Sequence, residues 1–375
     1  MWNYQSLSRI DLRVVFLILI LMVVSVVVIA AQSAPDPSFE GVLTPIARSQ
    51  IQWFLMGWVV FIFCAAFDYN KLREWTWVLY ILMIVALLGL FLTDPIQRVQ
   101  RWYRLPLINI GFQPSEAAKL ISVIALSWFL ERRKMQSRRW STVFSGLLII
   151  GIPFILILKQ PDLGTALILF PVTLVMFYFG DLRPRVIQVM GGLAFLALLG
   201  VAVIFLGIVP HEAVRPYATK VIKNYQFDRL DPNTHHQKAS ITAIALGGMM
   251  GSGWRNSTFT GGGWLPTPYT DAIFPAFGEE FGWIGMVLLM CVFYLLISCC
   301  FQVSVVAKDH FGCLLSAGIA VYLAVHILIN IGMMSGFFPI TGVPLPLVSY
   351  GGTSILATMA ALGIQQSIYS RRFMF

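Results

Sequence analysis

Val14–Ala31 reads VVFLILILMVVSVVVIAA, with one hydroxyl at Ser25 and no charge. At about 1.5 Å of rise per residue, such a run makes a helix of roughly 27 Å, close to the ~30 Å hydrocarbon core of a bilayer. It follows Arg9 and Arg13 and ends in Ala30-Ala31-Gln32-Ser33-Ala34, which imitates a cleavable signal peptide. Its apolar length exceeds the roughly 7–15 residues of a signal core, so an uncleaved helix is expected.

Similar runs recur at 51–67, 75–93, 114–130, 143–158, 165–180, 187–209, 283–306, 312–334 and 354–369. Lipid offers backbone N–H and C=O groups no partners, so each run is expected to be helical. The expected fold is an all-α polytopic membrane protein of about ten transmembrane helices. It forms a single domain over 1–375, with one large outer loop at about 210–282. Apolar residues make up 58% of the chain and charged ones 11%. Soluble domains carry about 25% charge, so several soluble domains in series are excluded.

A net charge of +9 raises the question of nucleic acid. The basic residues lie between apolar runs or in the one long loop. They do not alternate with aromatics as on a nucleic-acid surface, so no nucleic-acid partner is expected. Cys64, Cys291, Cys299, Cys300 and Cys313 all fall in apolar segments without metal-ligand spacing, which reads as packing.

Ten spans place both termini on one side. That side then holds Arg9, Arg13, Lys71, Arg73, Arg132, Arg133, Lys134, Arg138, Arg139, Arg183, Arg185, Lys308, Arg371 and Arg372. The opposite short loops hold Arg48, Arg98, Arg101, Arg104 and Lys159. Positive charge favours the cytoplasmic side, so both termini are expected in the cytoplasm. Arg98, Arg101 and Arg104 break the rule on the outer side, where an anionic ligand would account for them.

Ionisable residues at membrane depth are costly and mark function by default. Glu116 and Lys119 sit three apart at the outer start of a helix, on one face. The alternative is an ion pair that only locks packing. Asp162 opens the next outward-starting helix, as a helix cap, a site residue or the partner of Lys119. Asp271 is the only carboxylate between Asp231 and Glu279. It follows Leu265-Pro266-Thr267-Pro268-Tyr269-Thr270 and precedes Ala272-Ile273-Phe274. A carboxylate at an apolar edge is partly desolvated, which makes it a better base near neutral pH. The bland reading is a cap. Of Glu279 and Glu280, adjacent on a helix, one is expected to face solvent or lipid headgroups. His326, alone on an apolar helix, reads as a satisfied buried histidine.

These motifs, taken in order, resemble the SEDS family (shape, elongation, division and sporulation), to which RodA and FtsW belong. The resemblance rests on Arg101-Trp102, Phe112-Gln113-Pro114-Ser115-Glu116 with Lys119, and Gln160-Pro161-Asp162-Leu163-Gly164-Thr165. It continues in Tyr269-Thr270-Asp271, Glu279-Glu280, Asn330 with Gly332, and Gly342-Val343-Pro344-Leu345-Pro346-Leu347-Val348-Ser349-Tyr350-Gly351-Gly352. It covers nearly the whole chain and follows the RodA wording more closely than that of FtsW.

The resemblance implies a peptidoglycan glycosyltransferase. Such an enzyme polymerises lipid II at the outer membrane face beside a class B penicillin-binding protein. The resemblance also implies that Asp271 is the essential loop aspartate, with Glu116 and Lys119 the intramembrane pair. Arg101, Trp102, Gln113, Asp162 and Arg48 complete the expected substrate-binding set. A divalent cation, Mg or Mn, is an expected helper at the pyrophosphate. Thr267 and Tyr269 depart from the family pattern, as do Ala239-Ser240, Ala245-Leu246 and Ser252, all within the large loop. Two other readings compete: a flippase for a lipid-linked saccharide, and a scaffold. The outer clustering of the charged candidates speaks against a two-faced pathway, and a scaffold has no need of an embedded Glu–Lys pair.

Overall fold

A computed structural model describes residues 9–32, 44–93, 100–105, 110–205, 207–218, 227–231 and 233–373. Ten helices of 17 or more residues carry the fold among them: α1 (Leu12–Gln32), α2 (Pro45–Ala66), α3 (Lys71–Gly89), α4 (Pro114–Arg132), α5 (Trp140–Lys159), α6 (Leu163–Phe179), α7 (Pro184–Phe205), α11 (Ile273–Val306), α12 (His310–Met334) and α13 (Gly352–Ser370). A short antiparallel hairpin, β1 (Tyr103–Leu105) and β2 (Ile110–Phe112), precedes α4. The long loop contains α8 (His211–Ala218), α9 (His235–Gly247) and the single turn α10 (Thr258–Gly261).

Every expected span coincides with one of the ten long helices. Seven of them are long and apolar enough to cross a membrane by composition alone. The other three are α4, α6 and α13: α6 is apolar but short, at 17 residues, and position explains the other two. Fifteen of the 19 residues of α4 are buried, as are 14 of the 19 in α13. Helices surrounded by protein can carry polar groups, provided that these find partners. At the other extreme, α7 buries only Val186 and Met190 and turns the rest of an apolar surface outward, as lipid demands.

α1 is part of the bundle. Its Ser25 hydroxyl donates to the Val348 carbonyl at 2.6 Å, and Gln50 of α2 donates to Ser25 at 2.9 Å and to the Ser349 carbonyl at 3.2 Å. The first two helices therefore hold the last outer loop, more than 290 residues away in sequence. At the opposite end of the bundle Arg73 pairs with Glu131 at 2.8 Å and with Asp309, joining the start of α3, the end of α4 and the approach to α12.

The large loop is built rather than open. α9 packs along α11. Gln237 donates to the Met333 carbonyl at 3.1 Å, while Ile241, Leu246, Met249 and Met250 stay exposed. α11 is in fact two helices joined at Gly282, whose φ of 65° lies in the left-handed region. The bend explains why the expected span begins at 283: the segment 273–281 belongs to the outer layer.

Glu279 and Glu280 are both buried, against expectation. Adjacent side chains diverge on a helix, and the outer layer supplies a partner on each side. Glu279 accepts from Phe259 N at 2.8 Å, Thr260 N at 2.9 Å and the Thr260 hydroxyl, which caps α10. Glu280 accepts from Gln32 at the end of α1, at 3.2 Å. Glu279→Ala leaves two amides without their acceptor, at roughly 1–3 kcal/mol for each buried group. Limited proteolysis of this variant in detergent is expected to cut at 250–264 under conditions that leave the wild type whole. Equal resistance would mean that the Glu279 bonds are not what holds α10.

Candidate functional site

Three outward-starting segments converge beneath the large loop. Asp162 precedes α6 and caps it, accepting from Thr165 N at 3.3 Å and from the Thr165 hydroxyl at 3.0 Å. The same carboxylate accepts from Gln113 at 3.0 Å and Ser115 at 2.9 Å at the start of α4. It thus ties two helix N-termini together, and its negative charge suits both dipoles. The cap reading is met, and Asp162 also lines the cavity described below. The ion partner of Lys119 is Glu116, at 2.8 Å, and not Asp162. Both members of the pair are buried. The Lys119 ammonium also stands 5.4 Å from the centre of the Tyr322 ring on α12.

Asp271 lies on the segment just before α11. Its backbone is held from two sides. Asn330 of α12 donates to its carbonyl at 3.1 Å and to the Val343 carbonyl at 2.6 Å. The Ser349 hydroxyl donates to the Thr270 carbonyl at 2.6 Å, and Tyr350 N to the Tyr269 carbonyl at 2.8 Å. The last outer loop therefore clamps the Asp271 segment. Gly342 has a φ of 76°, and a Cβ there would stand 3.4 Å from Asp271 Oδ2, so the loop backbone packs directly on the carboxylate. The neighbouring N-cap of α11 is Ala272. Among the described residues the Asp271 carboxylate accepts no hydrogen bond, so it does not act as a cap.

These residues line one cavity of about 840 Å³. Its walls include Arg101, Trp102, Gln113, Glu116, Asp162 and Asp271. Lys119 lies behind Glu116, outside the lining. Arg101 is fixed by donating to the Gln160 carbonyl at 3.1 Å and to that of Pro161. Arg48 is exposed and off the wall, while its neighbour Ser49 is on it. Arg98 lies outside the described residues, and so does the side chain of Arg104.

Burial pushes the Asp271 carboxyl above the ordinary carboxylate range. Arg229 and Arg101 pull it part of the way back. Arg229 is one of six Lys and Arg residues in the large loop at 210–282, with nothing in the sequence to single it out. The fold sets it beside Asp271, where it also donates to the Thr341 carbonyl at 3.3 Å.

His326 also lines the cavity, fully buried, and neither ring nitrogen has a hydrogen-bond partner. The expected satisfied histidine is therefore not what the fold contains. No three His, Cys, Asp or Glu side chains among the described residues stand together as a cation site.

The model of the FtsW/RodA/SpoVE cell cycle proteins matches residues 11–372. The chain belongs to this family. Among curated relatives, the peptidoglycan glycosyltransferase MrdB of Escherichia coli K12 is 31% identical over 367 residues, covering 98% of this chain and 95% of that protein. MrdB of Helicobacter pylori J99 is 31% identical over 369 residues, covering 97% and 91%. Among solved structures, a chain from a peptidoglycan synthase complex that coordinates polymerization and crosslinking superposes with a TM-score of 0.77 at 26% identity, covering 98% of this chain and 99% of that one. The rod shape determining protein RodA of Thermus thermophilus superposes with a TM-score of 0.70 at 26% identity, covering 98% of each. The ten-helix bundle is thus a multi-pass membrane architecture that this chain shares with these solved structures.

Proposed function

We propose that this chain is a peptidoglycan glycosyltransferase that polymerises lipid II at the outer face of the bacterial inner membrane, with both termini in the cytoplasm. The observation that carries the reading is the clamped, desolvated Asp271 on the wall of a membrane-depth cavity, flanked by Arg101 and Arg229. Asp271 removes the proton from the acceptor hydroxyl as its oxygen attacks the anomeric carbon. The bond from that carbon to the pyrophosphate oxygen breaks. A hydroxyl is a poor nucleophile, and a base positioned for its proton typically contributes 10²–10⁴-fold. The two guanidinium groups offset the negative charge that grows on the departing pyrophosphate, in a setting with little water to screen it. A divalent cation, Mg or Mn, would add further positive charge at the departing pyrophosphate. The similarity to a synthase complex supports a class B penicillin-binding protein as partner.

The enzyme reading is favoured over a flippase by where the polar groups end. The cavity collects the outer ends of α4, α6 and α12, while the opposite end of the bundle carries the Arg73–Glu131–Asp309 ion cluster, which pins α3, α4 and the approach to α12 together. Purified protein given lipid II, with and without a class B penicillin-binding protein, is expected to make glycan strands. No strands in either case, with translocation of lipid II in vesicles, would move the flippase to the front.

A base works only when deprotonated, so activity falls as pH drops through the pKa of Asp271. Because burial raises that pKa, the acid limb of kcat/KM is expected above the ordinary carboxylate range. Arg229 lowers the same pKa, so Arg229→Gln is expected to move the limb to higher pH. An acid limb that does not move in this variant would remove Arg229 from the surroundings of the base.

A further inference from the structure

The mechanism above leaves two buried groups of the cavity without a task. One is Glu116 Oε2. The Lys119 ammonium binds the other oxygen, Oε1, at 2.8 Å, and Oε2 is buried with no partner. The second is His326, buried, with both ring nitrogens unpartnered. Both line the cavity that holds Asp271. Leaving a buried polar atom unsatisfied is costly, and here three such atoms belong to two residues that line one cavity. An arrangement of that kind is stable when a ligand supplies the missing partners.

Their position fixes which part of a ligand they meet. His326 lies one helical turn below Asn330, the residue that holds the Asp271 carbonyl, or about 6 Å further into the membrane. The ring of Tyr322, 5.8 Å from that of His326, stands between it and Lys119. The Glu–Lys pair is neutral as a unit, and its free atom is an acceptor. It does not attract a pyrophosphate, which Arg101 and Arg229 serve beside Asp271. A hydroxyl or amide N–H satisfies Glu116 Oε2. An imidazole with one protonated nitrogen gives one donor and accepts one bond. Together they match an uncharged sugar ring rich in hydroxyl and amide groups.

We propose that Glu116 Oε2 and His326 form the floor of a sugar-binding subsite, and that His326 is a positioning residue that hydrogen-bonds a neutral ring of the substrate below the reacting centre. The subsite rests on the glycosyltransferase reading given above. The test is steady-state polymerisation of lipid II by His326→Leu and His326→Ala beside the wild type, with heat stability measured in the same detergent. Losing a hydrogen bond to a neutral ligand is expected to raise KM roughly tenfold, with a smaller change in kcat. Stability should hold or rise in the leucine variant, because it removes two unsatisfied nitrogens. Wild-type KM in a folded variant overturns the proposal. Failure of both variants to fold makes the imidazole a packing element and overturns it too. A wild type that makes no strands sinks the underlying enzyme reading instead, and the two failures are read separately.

Discussion

Asp271→Asn is expected to lower the polymerisation rate by at least 10²-fold and as far as 10⁴-fold, the range that a positioned general base contributes. The protein should still reach the membrane and keep its heat stability. The reason lies in how the segment is held. Asn330, Ser349 and Tyr350 bind the backbone of residues 269–271, while the Asp271 carboxylate accepts no hydrogen bond among the described residues. An amide of the same shape therefore disturbs no contact that holds the loop. It also removes a partly desolvated negative charge, which favours stability slightly. The measurement is strand length and yield from purified lipid II, set against the melting temperature in detergent. Full activity in the variant would falsify the role of Asp271 as base.

The second large effect is on stability. Lys119→Met strips the counter-ion from a carboxylate that is buried beneath the cavity. Breaking a buried pair by removing one partner costs about 3–5 kcal/mol, because the remaining charge is left uncompensated. Lys119→Met is therefore expected to lower the melting temperature sharply. The double variant Glu116→Leu, Lys119→Met should recover most of that loss, since replacing both charges with apolar groups is often neutral. Activity should not return with it, because the cavity floor has lost its acceptor. A double variant as unstable as the single one would mean that the pair holds the helices together, as a purely structural lock would.

The fate of particular residues shows what was readable in the chain. The ten spans were legible because a bilayer imposes one length and one chemistry on every crossing helix, and that demand is written locally, as in Val14–Ala31. Even the start of the span at 283 was correct, because Gly282 breaks the helix there. Glu116 and Lys119 were legible because three-residue spacing on a helix fixes a shared face whatever surrounds it. Asp271 stood out because no other carboxylate lies near it in sequence.

Other residues depended on contacts between distant segments. Glu279 and Glu280 are both buried because the outer layer and the end of α1 reach them from opposite sides. Arg229 gained its place beside Asp271 only once the large loop had folded back. Arg48 was an expected substrate-binding residue, and the turn of α2 left it outside the cavity. His326 reads in the sequence as an ordinary buried imidazole, yet in the fold its nitrogens have no partners and the residue lines the cavity that holds Asp271. By itself the sequence determined the membrane class, the number of spans and the intramembrane ion pair, since hydropathy and helical spacing are local properties. Which of its polar groups share one cavity was decided only by tertiary structure, because its walls come from separate helices and loops, and the contacts that hold them span up to 323 residues of chain.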